Sequence, residues 1–548
     1  EIYTKESSAA SDVYKRQCES WSNLPLNESF ANYSEYLWLE HKYGKQEADL
    51  HAEGELFGYL RESNRKQVPL IRYNYRHRED MFDAHSYNKG GLILHMLRNY
   101  VGDDAFFESL KYYLHKHEYT DVEIDELRLA FEEITGEDLH WFFDQWFMNA
   151  GHPTLQVQNI YNDSTQNLTL KITQIQDSLY TPIYKLPIDI HIWENGKKRV
   201  EQVVIKNAIE SIEFNCATKP DLVYVDGKNQ LLGIVNQLKK QSELMFQFEN
   251  EESYKSKKEA LLGLIHLVSI KEQELYYVDK SLPIPDEQVL QAKVDSINNA
   301  QIDNVIELYK KGLNDAFWKI RQLSIQKLLP YTGQHQKDVI KIINQIVKKD
   351  KKSTVRAEAL AYLKNHQKTD ESLFEETFKY ALNDSSYVVL GRALLGYAFT
   401  KAEDKTIIFD KYKNSKKKDI IKSVAEYYLQ KKDTLQEQWF FTQFEKQLKP
   451  IDQYYFAEPM YQFLKLFSKT EQIRLLEKIM FLKTKNEHIY TRLARYKILF
   501  LIAQNQLNVE KTVFDQAKMY RLNMIEVEED ETLKYYYEQI FEKKLGNV

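Results

Sequence analysis

The sequence predicts a mainly α chain interrupted by a small antiparallel β-sandwich and closed by an α-solenoid of the HEAT or armadillo kind. Three observations carry this reading. Apolar residues recur at helical spacing from about Trp21 to Ala150, and the period drops to two after Pro153. Helical spacing then returns from about Asn236 to Val548, where a weak internal repeat can be read.

In the first region, "KGGLILHMLRNYVG" (Lys89 to Gly102) and "IDELRLAFEEITG" (Ile124 to Gly136) place apolar residues at i, i+3, i+4 and i+7. Each ends at a glycine, which takes the left-handed conformation that closes a helix. "WFFDQWFMNAGHP" (Trp141 to Pro153) is too rich in aromatics for an exposed face, so Trp141, Phe142, Phe143 and Trp146 read as core or domain-junction residues. After Pro153, "TLQVQNIYN", "NLTLKITQIQ", "KLPIDIHIWENGKKRVEQVVI" and "SIEFNCATKPDLVYVDG" alternate apolar and polar residues as half-buried strands do. Within them "ENGK" (Glu194 to Lys197) is a hairpin signal, since Asn-Gly supplies the positive φ angles of a type I′ turn.

In the last region, "DAFWKIRQLSIQKLL", "DKKSTVRAEALAYLK" and "DSSYVVLGRALLGYA" align as successive helical repeats. Asp315 precedes Arg321 at the offset by which Asp350 precedes Arg356, and Asp384 and Arg392 follow slightly out of frame. A buried aspartate–arginine ladder between repeats is therefore expected. The domain reading is a tail over 1–17, a helical lobe over 18–152, a β-sandwich over 153–235 and a solenoid over 236–548.

Composition excludes several function classes. A charged fraction of 28% beside 43% hydrophobic residues describes an ordinary globular protein. Basic and acidic residues are interspersed and sum to −6, and the Lys-rich runs "VKKDKKS" and "NSKKKD" are flanked by acids, so no nucleic acid partner is expected. No run reaches the ~18 apolar residues of a transmembrane segment. Two cysteines, Cys18 and Cys216, exclude a disulfide framework. Their scarcity fits the cytoplasm, and fits a bacterial cell envelope or periplasm protein without disulfides equally.

"WSNLPLNESFANYSEY", "SYNKGGLILHML" and "FDQWFMNAGHPTLQV", in that order, resemble the zinc aminopeptidases of the gluzincin clan, the M1 or alanyl-aminopeptidase family. The family's Asn-Glu-Gly-Phe-Ala element holds its third zinc ligand, and Asn27-Glu28-Ser29-Phe30-Ala31 matches it with serine for glycine. Its Tyr-Glu-Lys-Gly element holds a transition-state tyrosine, and Tyr87-Asn88-Lys89-Gly90 matches with asparagine for glutamate. The resemblance implies Glu28 as a Zn2+ ligand, Tyr87 as a catalytic residue, peptide substrates, and a thermolysin-like peptidase lobe in residues 18–152. It also implies histidine ligands at positions 5 and 9, where this chain has Lys5 and Ala9. No His-Glu-x-x-His occurs, and the Gly-x-Met-Glu-Asn element that grips a substrate amine is missing too. "SDVYKRQ" resembles a translated adapter run, so residues 1–17 are expected to be an artefactual tail. The chain is expected to be an inactive C-terminal fragment of a peptidase.

Other readings stay open at this point. Glu28 is also an ordinary first-turn acid favoured by the helix dipole. Tyr87 is one of 38 tyrosines, and Lys89 reads as a solvated lysine without a role. His41, His85 and His95 offer imidazoles, but none pairs with another at ligand spacing. A catalytically inactive M1-like scaffold, or an α-solenoid interaction protein, is the alternative to the enzyme.

Overall fold

The computed structural model describes residues 17–264, 299–367, 370–481, 487–505 and 509–545. Positions 5 and 9, and the expected tail apart from Gln17, lie outside the described residues. The chain forms two compact units that divide between Leu323 and Ser324.

The first unit opens with helices α1 (Pro25–Tyr43) and α2 (Lys45–Ser63). Pro25 is pre-set for the first turn of α1, where its missing N–H is no loss. After an irregular stretch, a π-turn over His85–Lys89 leads into α3 (Gly90–Val101). Then come α4 (Asp103–Lys116), α5 (Ile124–Thr135) and the short α6 (His140–Phe143), which runs on as a π-turn over Asp144–Met148. A two-residue strand β1 (Gln17–Cys18) pairs in parallel with β2 (Asp121–Val122) and ties the start of the described chain to this lobe.

Seven strands follow in two sheets. They are β3 (Thr154–Asn162), β4 (Asn167–Gln174), β5 (Leu186–Glu194), β6 (Lys197–Ile205), β7 (Ile209–Asn215), β8 (Leu222–Val225) and β9 (Ile234–Gln237). One sheet has the order β7-β4-β3-β9 and the other β6-β5-β8. The β5–β6 turn is the expected one, with Asn195 and Gly196 at φ 50° and 70°. Against the wholly antiparallel expectation, β9 runs parallel to β3, Thr154 opposite Ile234. Leu155 and Val157 of β3 and Leu168, Leu170 and Ile172 of β4 face inward, as their alternation requires. Strand β5 is buried on both faces: Glu251 accepts from the Trp193 indole at 2.7 Å and pairs with His191 at 3.0 Å, closing the outer side. One hydrophobic core runs from Leu26 of α1 to Leu232 before β9, and in it Trp146 packs on Tyr184 with ring centroids 4.7 Å apart. Helices α7 (Gln241–Asn250), α8 (Tyr254–Gly263) and α9 (Asn299–Gly312) also belong to this unit.

The second unit is a series of helix pairs: α10 (Gln336–Lys349) with α11 (Ser353–Asn365), α12 (Glu371–Ala381) with α13 (Tyr387–Ala398), and α14 (Lys405–Tyr412) with α15 (Lys418–Gln430). Helices α11, α13 and α15 stack in order, and the stack continues through α16 (Pro450–Leu464) to α18 (Ile489–Gln504), with α17 (Lys469–Phe481) between them in sequence. This is the solenoid-like arrangement the repeat predicts. One rung of the expected ladder is bidentate: Arg356 donates to both Asp384 oxygens at 2.8 and 2.9 Å and to the Asp350 carbonyl at 2.8 Å. In the first unit Arg321 donates to the Asp315 carbonyl at 2.8 Å, while the Asp315 carboxylate pairs with Lys257. Arg392 is exposed and forms no rung, because the shift in spacing turns it away from the helix stack.

Candidate functional site

The site begins with a close crossing of α1 and the start of α3. A Cβ on Gly90 would lie 1.8 Å from Ser29 Oγ, and one on Gly91 would lie 2.1 Å from Asn32 Oδ1. Only glycines let the two backbones approach this far. Ser29 uses its hydroxyl across the crossing, donating to the Ser86 carbonyl at 2.8 Å. Residues next to this bond in sequence are thereby neighbours in space: Glu28 beside Ser29, Tyr87 beside Ser86. The Tyr87 phenol lies in the field of the Glu28 carboxylate. Partial burial, and then the carboxylate, hold the Tyr87 phenol well above its ordinary range, so it carries its proton at neutral pH. Both side chains are half-buried. Cys18 also lies in the field of Glu28, its thiol pushed up by burial and then by Glu28 and Asp121.

Phe82 stands beside Tyr87 and Trp21 beside Phe82, and no sequence signal marked either. The Phe82 ring is 6.5 Å from Tyr87 and 6.0 Å from Trp21, centroid to centroid, and both Phe82 and Trp21 are exposed. They follow neither helical nor strand periodicity. Asn88, the departure from the family's glutamate, turns to α2 instead and donates to the Glu55 carbonyl at 3.4 Å.

The turn that carries Tyr87 is anchored from behind. Asp83 accepts from the Ser86 amide at 2.9 Å and is itself gripped by Arg72 at 2.7 Å and Lys66 at 2.5 Å. Burial would raise the Asp83 carboxyl, but Lys66, the Ser86 amide and Arg72 hold it below its ordinary value. His85 is fully buried, with Nδ1 2.7 Å from Glu62. Lys89, expected to be solvated, is instead wholly buried. Its ammonium reaches the Asn149 carbonyl at 3.4 Å and lies 5.8 Å from the Tyr59 ring centre. Burial, and then Arg72, push Lys89 down to about 7.

Catalytic zinc takes three protein ligands and leaves a position for water. Among the described residues no group of three ligand atoms includes Glu28. Glu62, Asp83 and His85 do bring ligand atoms within 4.8 Å of one another. There Arg72 and Lys66 already neutralise Asp83, and Lys89 adds a nearby amine, so the cluster is an ion-pair network that would repel a dication. His95 is a core residue between Tyr33 and Asn99, pushed by burial to about 3, and exposed His41 packs near Trp38.

The helical lobe is followed along the chain by a β-sandwich and stacked helices. Residues 17–146 match the Peptidase family M1 domain. A probable aminopeptidase 1 of Sulfurisphaera tokodaii is 30% identical over 206 residues, 36% of this chain and 26% of the relative. Aminopeptidase N of Lactococcus lactis is 32% identical over 158 residues, 28% of this chain and 18% of the relative. The matched stretches thus span about a quarter or less of these relatives. A crystal structure of Legionella pneumophila aminopeptidase A with aspartic acid shares the fold, with a TM-score of 0.54 at 13% identity over 96% of this chain and 64% of that one. Residues 17–146 are thus similar to the domain of peptidase family M1. Among the described residues no helix is long and apolar enough to cross a membrane.

Proposed function

We propose that this chain carries the glutamate-ligand and tyrosine part of a zinc aminopeptidase, a protein that removes N-terminal residues from peptides. The observation that carries the reading is the crossing at which Ser29 donates to the Ser86 carbonyl at 2.8 Å, which sets Tyr87 in the field of Glu28. It joins two motifs far apart in sequence into one half-buried pair, and relatives that match part of the chain are named aminopeptidases. In such sites zinc supplies an activated water at neutral pH. Glu28 would hold the metal as one carboxylate ligand, with the two partners it requires lying outside the described residues. Tyr87 keeps its proton and can donate to the oxyanion that forms on a peptide carbonyl.

The test is hydrolysis of alanine 4-nitroanilide by the protein bearing the genomic sequence upstream of Cys18. Chelation-sensitive activity is expected, with Tyr87→Phe lowering kcat roughly 100- to 1,000-fold at little change in KM. Glu28→Gln is expected to weaken zinc retention by at least tenfold, read by metal analysis after dialysis. Full activity in Tyr87→Phe overturns the reading.

A further inference from the structure

A cavity of about 290 Å3 opens between α3, α6 and the β5–β6 hairpin of the first unit, away from the Tyr87 turn at the other end of α3. Its apolar walls include Met96 of α3 and the rings of Trp141, Phe142 and Trp146. Two lysines and one carboxylate line it. Lys228 is matched by Asp189 at 2.5 Å. Lys185 is not matched: among the described residues no carboxylate lies within 4.0 Å of its ammonium, which sits 3.8 Å from the Trp141 ring centre. Glu137, near the rim, accepts from the Tyr100 hydroxyl.

These two features ask for complementary parts in one ligand. The aromatic wall takes a flat apolar body and Lys185 takes an anion. We propose that this cavity binds an aromatic carboxylic acid, either as a small molecule or as the last residue of a peptide. The ring lies against Trp141 and Trp146, and the carboxylate meets Lys185. The volume is at the lower end of ligand cavities, which suits one residue and not several. An ammonium already stacked on an indole is partly desolvated and fixed, so it pairs with a carboxylate at less loss of side-chain freedom than a solvated lysine. This site is independent of the peptidase reading.

The experiment is calorimetric titration of the full chain with N-acetyl-L-phenylalanine, its amide, and N-acetyl-Ala-Ala-Ala-Phe. Saturable binding at one equivalent is expected, at least tenfold weaker for the amide and for the acid with Lys185→Met, and retained with Lys185→Arg. Tetrapeptide binding equal to or tighter than that of the single residue assigns the site to peptide ends, and weaker binding assigns it to small aromatic acids. No saturable binding of either acid, or equal binding of acid and amide, overturns the proposal. Should Lys185→Met melt lower than the parent, the acid–amide comparison on the unaltered chain decides alone.

Discussion

Lys89 is the residue whose chemistry departs furthest from its type. It is two positions from Tyr87 in the same turn, wholly buried, and paired with a carbonyl instead of a carboxylate. Burying an ammonium without a counter-ion is expensive, and the shift down to about 7 is that expense expressed as a pKa. The folded value is depressed below the unfolded one near 10.4, so the unfolded chain binds an extra proton between about pH 7 and 10. Stability therefore rises with pH across that window and is penalised in full below it. Replacing the lysine by methionine removes the titration. The advantage of Lys89→Met over the parent is expected to be greatest near pH 7 and to shrink by up to ~1.4 kcal/mol per pH unit towards pH 10. Urea denaturation at several pH values reads this directly. A pH-independent difference would mean that Lys89 is charged, or neutral, throughout.

At the scale of elements, the crossing of α1 on α3 positions the site, and two small residues set its distance. Gly90→Ala is expected to destabilise the first unit by about 1–3 kcal/mol, because its methyl would fall 1.8 Å from Ser29 Oγ. In a Ser29→Gly background, where that hydroxyl and its Cβ are gone, the added penalty should drop below about 1 kcal/mol. Denaturation midpoints of the four proteins in this cycle measure the coupling. Additive penalties would show that the glycine serves something other than close approach. Much of this element structure is legible in the sequence. The helices over Gly90–Val101 and Ile124–Thr135 follow apolar spacing and end at glycines, and the Asn195–Gly196 turn follows from its residue pair. Strand β9 is not legible, since Ile-Val-Asn-Gln has no alternation and its parallel pairing depends on where the chain returns to β3. The burial of Lys89 is equally hidden, because its cover comes from Asn149 and Tyr59 on other elements. The Glu28–Tyr87 pair is legible only through the motif resemblance, as neither residue's type or spacing marks it out.

At the scale of the molecule, the change of period at Pro153 divides the sequence, but the buried core of the first unit crosses it without a break. Trp146 is where the two parts meet. It is 2% exposed, lies near the end of the aromatic run before Gly151, and packs on Tyr184, which leads into β5. Tyr59 of α2 adds a second tie, donating to the Gly151 carbonyl at 3.0 Å across the same junction. Lobe and sandwich should consequently lose protection together. Trp146→Ala is expected to destabilise by about 3–5 kcal/mol, the usual range for emptying a large aromatic site. In hydrogen-exchange mass spectrometry the variant should exchange faster both in α1–α3 and in β3–β5. The stacked helices from α10 onward should keep their protection, since none of their residues belongs to this core. Faster exchange confined to residues 154–237 would show instead that the helical lobe is stable alone and that the junction only docks a separate sandwich.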